Sequence, residues 1–191
     1  KTYPEAVQFL LSQERSAQLS TPPTLEKQFV LPAANPAMQR ALAYLQNQRG
    51  IDREILAAFV RRKMIYESKE HHNVVFVGYD MAGQPRHAHL RGTGGSFKGN
   101  AAGSVPEYSF HWLGQSDQLY LFEAPIDLLS YLTLHKEGWQ NHSYAAACSV
   151  SDRVLFQCLR DAPQLARIFL CLDNDAAGQS AAPSFHSSRC R

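Results

Sequence analysis

The chain has few cysteines and arranges none of them for metal or disulfide work. Its 191 residues hold four, at 148, 158, 171 and 190, with no Cys-x-x-Cys pair among them. That spacing excludes a zinc knuckle and a disulfide framework built from these residues, and it fits a reducing cytoplasm. Long apolar runs are missing too, so no stretch reads as a membrane-spanning helix. The opening Lys1-Thr-Tyr-Pro carries no signal-peptide pattern, and the absence of a leading methionine suggests a fragment or a processed chain. Net charge is only +2, so affinity for nucleic acid has to rest on local patches. The glycine-rich stretch 92–104 contains no Gly-Lys-Ser/Thr, which excludes a Walker-type phosphate loop. There is no internal repeat. What is present is 45% hydrophobic content, enough to bury a core in one domain or in one domain plus a smaller appendage.

Residues 3–19 read as an amphipathic helix with Pro4 near its start, and residues 20–36, with prolines at 22, 23, 32 and 36, read as a linker. From Pro36 to Gln48 the pattern is helical, with Met38, Leu42 and Leu45 on one face and Gly50 as the stop. Asp52 is placed to cap a second short helix that turns Ile55, Leu56 and Phe59 inward. Arg61-Arg62-Lys63 then reads either as a solvated helix end or as a phosphate contact. Residues 73–79 and 85–91 look like two strands joined by the turn Asp80-Met-Ala-Gly83. His87 and His89 share a face of the second strand, which is either a polar sheet face or a metal-binding pair. The stretch 92–104 reads as a flexible loop, and Arg91 and Lys98 within reach of it would suit phosphates. After residue 118 strand and helix alternate: strands at 118–123, 143–148 and 167–172, helices at 125–136 and 151–160, and a further helix start near 177. Three such alternations predict a parallel α/β sheet with right-handed crossovers.

The chemistry concentrates where two of these strands end. Ile168-Phe-Leu-Cys-Leu-Asp173-Asn-Asp175-Ala-Ala-Gly178 delivers two aspartates to one strand tip. Alternation along a strand points both the same way, and two such carboxylates repel unless a cation lies between them. The small residues Ala176, Ala177 and Gly178 leave room for a phosphate or nucleotide. Leu119-Tyr-Leu-Phe-Glu123-Ala-Pro-Ile-Asp127 is a second apolar run ending in an acid, with Pro125 suited to a first helical turn. If these strands are parallel neighbours, Glu123, Asp173 and Asp175 meet at one sheet edge, where open α/β sheets place their sites.

The two acidic segments resemble the glutamate and Asp-x-Asp motifs of Toprim domains, which occur in bacterial primases, topoisomerases and some nucleases. Tyr44-Leu-Gln-Asn-Gln-Arg49-Gly50-Ile-Asp-Arg-Glu-Ile and Asp80-Met-Ala-Gly83-Gln-Pro-Arg-His-Ala-His-Leu-Arg91-Gly92 are similar to the segments that open a primase core. The likeness covers roughly residues 38–182 and points to the primase-like proteins of plasmids and integrative mobile elements. It implies a Toprim-type parallel sheet flanked by helices, preceded by a small α+β segment. The domains then run 1–36 for the N-terminal helix and proline-rich linker, 37–117 for the primase-like subdomain, and 118–191 for a Toprim domain truncated at its C-terminus. By the same likeness Glu123 is the general acid/base or a metal ligand. Asp173 and Asp175 hold Mg²⁺ or Mn²⁺, and Asp127 supports the metal shell. Arg91, Lys98, Arg61, Arg62 and Lys63 are the candidate contacts to nucleic acid or triphosphate. Zinc enters only through a ribbon that often precedes such cores; Tyr3-Pro-Glu-Ala-Val-Gln-Phe-Leu-Leu is similar to the helix that closes one, and its ligands would lie before Lys1.

The expected activity is primer synthesis by nucleotidyl transfer on single-stranded DNA from nucleoside triphosphates during replication of a mobile element, with a helicase or relaxase as partner and no role for a membrane. Two alternatives stay open. One is a DNA-binding accessory module that keeps the acids without synthesis; the other is a Toprim nuclease. A topoisomerase needs a nucleophilic tyrosine on another domain. The dehalogenase-like phosphatases also use Asp-x-Asp, but early in their fold and with Thr or Val next, where this chain has Ala176. The blandest reading has the acids merely capping helices at strand ends.

Overall fold

The computed structural model describes residues 28–148 and 152–172. The helix expected over 3–19, the helix start near 177, and Asp173 and Asp175 lie outside the described residues.

The first helical segment forms where apolar periodicity predicts it, but it changes pitch. Helix α1 (Gln39–Ala43) runs directly into a π-helical turn, Tyr44–Gln48, closed by Arg49 N–H donating to the Tyr44 carbonyl at 3.1 Å. Gly50 ends it with φ +67°, a conformation that only glycine adopts without strain. The Asp52 carboxylate then accepts from the Glu54 and Ile55 amides at 2.9 and 3.2 Å, capping helix α2 (Arg53–Arg61). Helix α2 buries Ile55, Leu56 and Phe59, as its sequence period requires.

Four antiparallel strands follow in the order β1-β2-β3-β4: β1 (Ile65–Glu67), β2 (Val74–Tyr79), β3 (Pro85–Arg91) and β4 (Lys98–Asn100). The expected turn joins β2 to β3. Its Asp80 carboxylate accepts from Ala82 and Gln84 amides at 3.0 and 2.9 Å, and Gly83 takes φ +73°. Two features differ from expectation. The stretch 92–104 is not a free loop. Gly92 N–H donates to the Phe97 carbonyl at 2.9 Å, β4 pairs Lys98 with Arg91, and Ala101 N–H donates to the Ala88 carbonyl at 2.9 Å. Backbone pairing with β3 satisfies groups that glycines alone would leave to water. The described end of the expected linker is also held: Ala34 bridges Ser68, and Asn35 N–H donates to the Glu67 carbonyl at 2.8 Å.

The second sheet has the order β5-β7-β6-β8, from β5 (His111–Trp112), β6 (Gln118–Phe122), β7 (Ser143–Ala146) and β8 (Arg167–Cys171). β6 pairs in parallel with both β7 and β8, as predicted. β5 pairs antiparallel with β7, so the sheet is mixed rather than wholly parallel. A two-residue strand such as His111–Trp112 has too short a pattern to read from sequence. Helix α3 (Pro125–Leu134) joins β6 to β7, and helix α4 (Arg153–Asp161) joins β7 to β8. The first connection steps one way across the sheet and the second steps back across β6. Crossovers of one hand therefore put α3 and α4 on opposite faces. The core agrees: Leu128, Leu129 and Leu132 of α3 share a cluster with Phe122, Tyr144 and Ala146, while the alternate residues Leu119, Leu121 and Ala145 are buried outside that cluster. Leu134, an apolar residue of the expected α3 face, is exposed, because it lies about 200° around the helix from Leu132.

One aromatic residue ties the two halves. Phe59 of α2 lies 5.3 Å from Phe110, 5.4 Å from Trp112 and 5.5 Å from Trp139, ring centre to ring centre. Phe59→Ala is expected to lower the unfolding free energy by about 3–5 kcal/mol, read from urea unfolding followed by tryptophan fluorescence. A loss below about 1 kcal/mol would contradict this packing role.

Candidate functional site

Adjacent parallel strands whose outgoing helices leave to opposite faces open a crevice at their carboxyl ends. Here those strands are β6 and β7. Their ladder continues past the last strand residues: Ala147 N–H donates to the Phe122 carbonyl at 2.9 Å and Cys148 N–H to the Glu123 carbonyl at 3.0 Å. Glu123 sits half-buried at this tip. Pro125 follows as the first residue of α3, and Asp127 lies exposed in that helix's first turn, where the helix dipole favours a negative charge. On the other flank of β6, Phe122 pairs with Cys171 of β8. Strands β6 and β8 are thus hydrogen-bonded parallel neighbours.

The donors this edge offers are carboxylate oxygens, the hard ligands that magnesium and manganese take. Glu123 and Asp127 are the described members of the expected set. Among the described residues, no group of three His, Cys, Asp or Glu side chains gathers in a way that would hold a metal ion.

The basic residues divide. Arg91 is directed by its neighbours: its Nε donates to the Tyr44 hydroxyl at 3.0 Å, and Arg49 Nε donates to the same oxygen at 2.9 Å. Two guanidinium groups therefore meet on one buried phenol, their Nε atoms within about 6 Å. Two like charges this close repel, and solvent screens part of that repulsion at these exposed and half-buried positions. Among the described residues no carboxylate forms an ion pair with either arginine. Lys98, exposed, is the cross-strand partner of Arg91. The arrangement is suited to an anion with several oxygens, and arginine forks match phosphate well. Arg49 was missed in the sequence, where Arg49-Gly50 reads only as a helix end; the π-helical turn that aims it has no sequence signature of its own.

Tyr44 is itself placed by a buried carboxylate. Glu67, at 1% exposure, accepts from the Ala41 amide at 2.9 Å, from Asn35 Nδ2 at 2.8 Å and pairs with His72 Nδ1 at 2.6 Å. Burial raises its proton affinity, but these hydrogen bonds and the His72 ring outweigh that and hold the carboxyl below its usual range. Glu67 thereby anchors the start of α1, one turn before Tyr44.

Arg61, Arg62 and Lys63 do not act as one patch. Arg61 lines a groove beside α2, Arg62 stacks on Trp112 with its guanidinium carbon 3.7 Å from the ring centre, and Lys63 adopts φ +58° with its carbonyl accepting from Tyr79. His87 and His89 do share a face of β3, as expected. His89 Nδ1 is bonded to Asn100 Oδ1 at 2.8 Å, whereas His87 Nδ1 is buried without a partner.

Known proteins place these features in context. Residues 43–116 match a family described as a protein of unknown function, DUF3991. Residues 120–188 match the family described as Toprim-like. The chain carries a Toprim domain. In fold, the Toprim domain and the segment before it are similar to the primase fragment of the bacteriophage T7 primase-helicase, with a TM-score of 0.54 at 16% identity, over 89% of this chain and 70% of that one. They are also similar to a primase catalytic domain bound to single-stranded DNA, with a TM-score of 0.53 at 14% identity, over 97% of this chain and 67% of that one. An uncharacterized protein of Bacillus anthracis is 30% identical over 158 residues, 74% of this chain. The Toprim-bearing chain spans 45% of that relative's length. Among the described residues, no helix is long and apolar enough to cross a membrane.

Burial pushes the His87 imidazole down from 6.5 to about 4, helped by His89 and His111 nearby. The unfolded chain then binds the proton more readily, so stability is complete above about pH 6.5 and drains away as pH falls toward 4. Urea unfolding between pH 7 and 4.5 is expected to show this slope, and His87→Leu should flatten it by about 2 kcal/mol of the total. An unchanged slope in that variant would contradict the assignment.

Proposed function

We propose that this Toprim protein is a magnesium-dependent, primase-like nucleotidyl transferase that acts on DNA during replication of a mobile element. The observation that carries the proposal is Glu123 at the tip of β6, between β7 and a parallel neighbour, β8, whose chain continues into Asp173-Asn-Asp175. Similarity in fold to primase catalytic cores supports the same reading. Glu123 serves as acid/base or metal ligand, Asp173 and Asp175 as metal ligands, and Asp127 as their support. Bound magnesium supplies charge neutralisation and alignment of phosphate oxygens for in-line displacement. Arg91, Arg49 and Lys98 hold phosphates of the template or of an incoming nucleoside triphosphate. The template is single-stranded DNA, and a helicase or relaxase supplies it.

A second reading is a DNA-binding accessory module, favoured by one observation: the arginine pair on Tyr44 offers an anion site that needs no carboxylate. The two readings separate on a single variant. With single-stranded template, ribonucleoside triphosphates and Mg²⁺, the wild-type chain should yield short RNA, and Glu123→Gln should reduce it at least 100-fold while leaving DNA affinity within about twofold. DNA binding without product from wild type under varied templates and Mn²⁺ would favour the accessory module. Arg49→Ala and Arg91→Ala should each weaken single-stranded DNA binding and lower the slope of log affinity against log salt by about 0.7; unchanged slopes would remove both arginines from the interface.

A further inference from the structure

A groove of about 620 Å³ lies between α2 and the turn that follows α3. Among the described residues its lining carries Arg53, Arg61 and Lys136, with Glu54 the only acid, and Ala57, Ala58 and Trp139 as its apolar floor. Lys136 is already engaged by Asp52, but Arg53 and Arg61 are exposed and form no ion pair with a described residue. The groove is remote from the carboxylate edge. Helix α3 begins just after Glu123 and climbs about 15 Å over its ten residues before Lys136 and Trp139 are reached. Glu123 is not among the residues that line the groove, so a ligand confined to it does not touch that carboxylate.

Two small side chains keep the floor open, and the buried Trp139, stacked on Phe59, makes it rigid and apolar. A bare phosphate would leave that floor empty, and a duplex is too wide to enter. Arg53 and Arg61 stand two helical turns and more apart, about 12 Å along the axis. An extended chain covers that span in about four residues. We propose that the groove docks a short acidic segment of a partner protein, with carboxylates about four residues apart on Arg53 and Arg61 and one large apolar side chain between them against Ala57, Ala58 and Trp139.

The test uses the full chain labelled with ¹⁵N and the acetylated peptide Asp-Asp-Ser-Phe-Ser-Asp-Asp as probe. Saturable shifts confined to residues 53–61 and the Trp139 indole are expected. Affinity should fall at least tenfold in R53Q/R61Q and at least tenfold when the peptide's Phe becomes Ser, with no change in Arg91→Ala. Both arginines are exposed, and an unchanged unfolding midpoint checks the double variant. Absence of saturable shifts at millimolar peptide would overturn the proposal. So would equal binding of the Phe-to-Ser peptide, which reports charge alone, or equal occupation of the groove by oligo-dT, which assigns it to nucleic acid.

Discussion

Everything at the carboxylate edge depends on the double parallel pairing of β6. Phe122 is hydrogen-bonded in register with Ala146 on one side and Cys171 on the other. Because side chains alternate with a period of two, a one-residue slip of either neighbour would turn its strand end away from Glu123 and expose half the core. That core resists the slip: Leu119, Leu121, Ala145 and Ala146 are all buried to within 1% of complete. Packing and register therefore enforce each other, and the position of Glu123 at the end of β6 is a consequence of apolar burial.

The basic side of the molecule is organised by the opposite kind of force. Arg49 and Arg91 repel, and they stay together because the Tyr44 hydroxyl has two lone pairs and accepts from both. The tyrosine stays because α1 is hung from Glu67, a buried carboxylate with three partners. A chain of hydrogen bonds thus converts a buried anion on β1 into a cationic pair at the surface. Such a pair is at lower energy with an anion beside it.

Between these two sides lies the aromatic junction around Phe59, contributed by α2, by β5 and by the turns at 106–110 and 139–141. It makes the four-stranded antiparallel sheet and the Toprim sheet share one core, Phe76 and Phe110 meeting at 5.4 Å. The same junction supplies the floor of the groove beside α2, so a surface far from the carboxylates inherits its rigidity from the centre.

Much of this was legible in the residues. Asp52 as a cap, Gly50 as a stop, the Asp80–Gly83 turn and the β-α-β-α-β run from 118 all follow from local rules, because caps, turns and burial period are properties of neighbours in sequence. Glu123 at the end of β6 was legible for the same reason. The rest depended on partners distant in the chain. The pairing of β5 with β7, the ordering of the glycine-rich stretch by β3, and the splitting of Arg61-Arg62-Lys63 among a groove, the Trp112 ring and a backbone turn each involve residues that no local pattern connects. Arg49 shows the difference most plainly. Its sequence neighbours only end a helix, while a tyrosine five residues back and a strand forty-two residues ahead decide where its charge is spent. Sequence determined the longer helices and strands and which segments carry acid, since those are local; tertiary structure decided the short strands β4 and β5 and which charges meet, since both require the chain to return on itself.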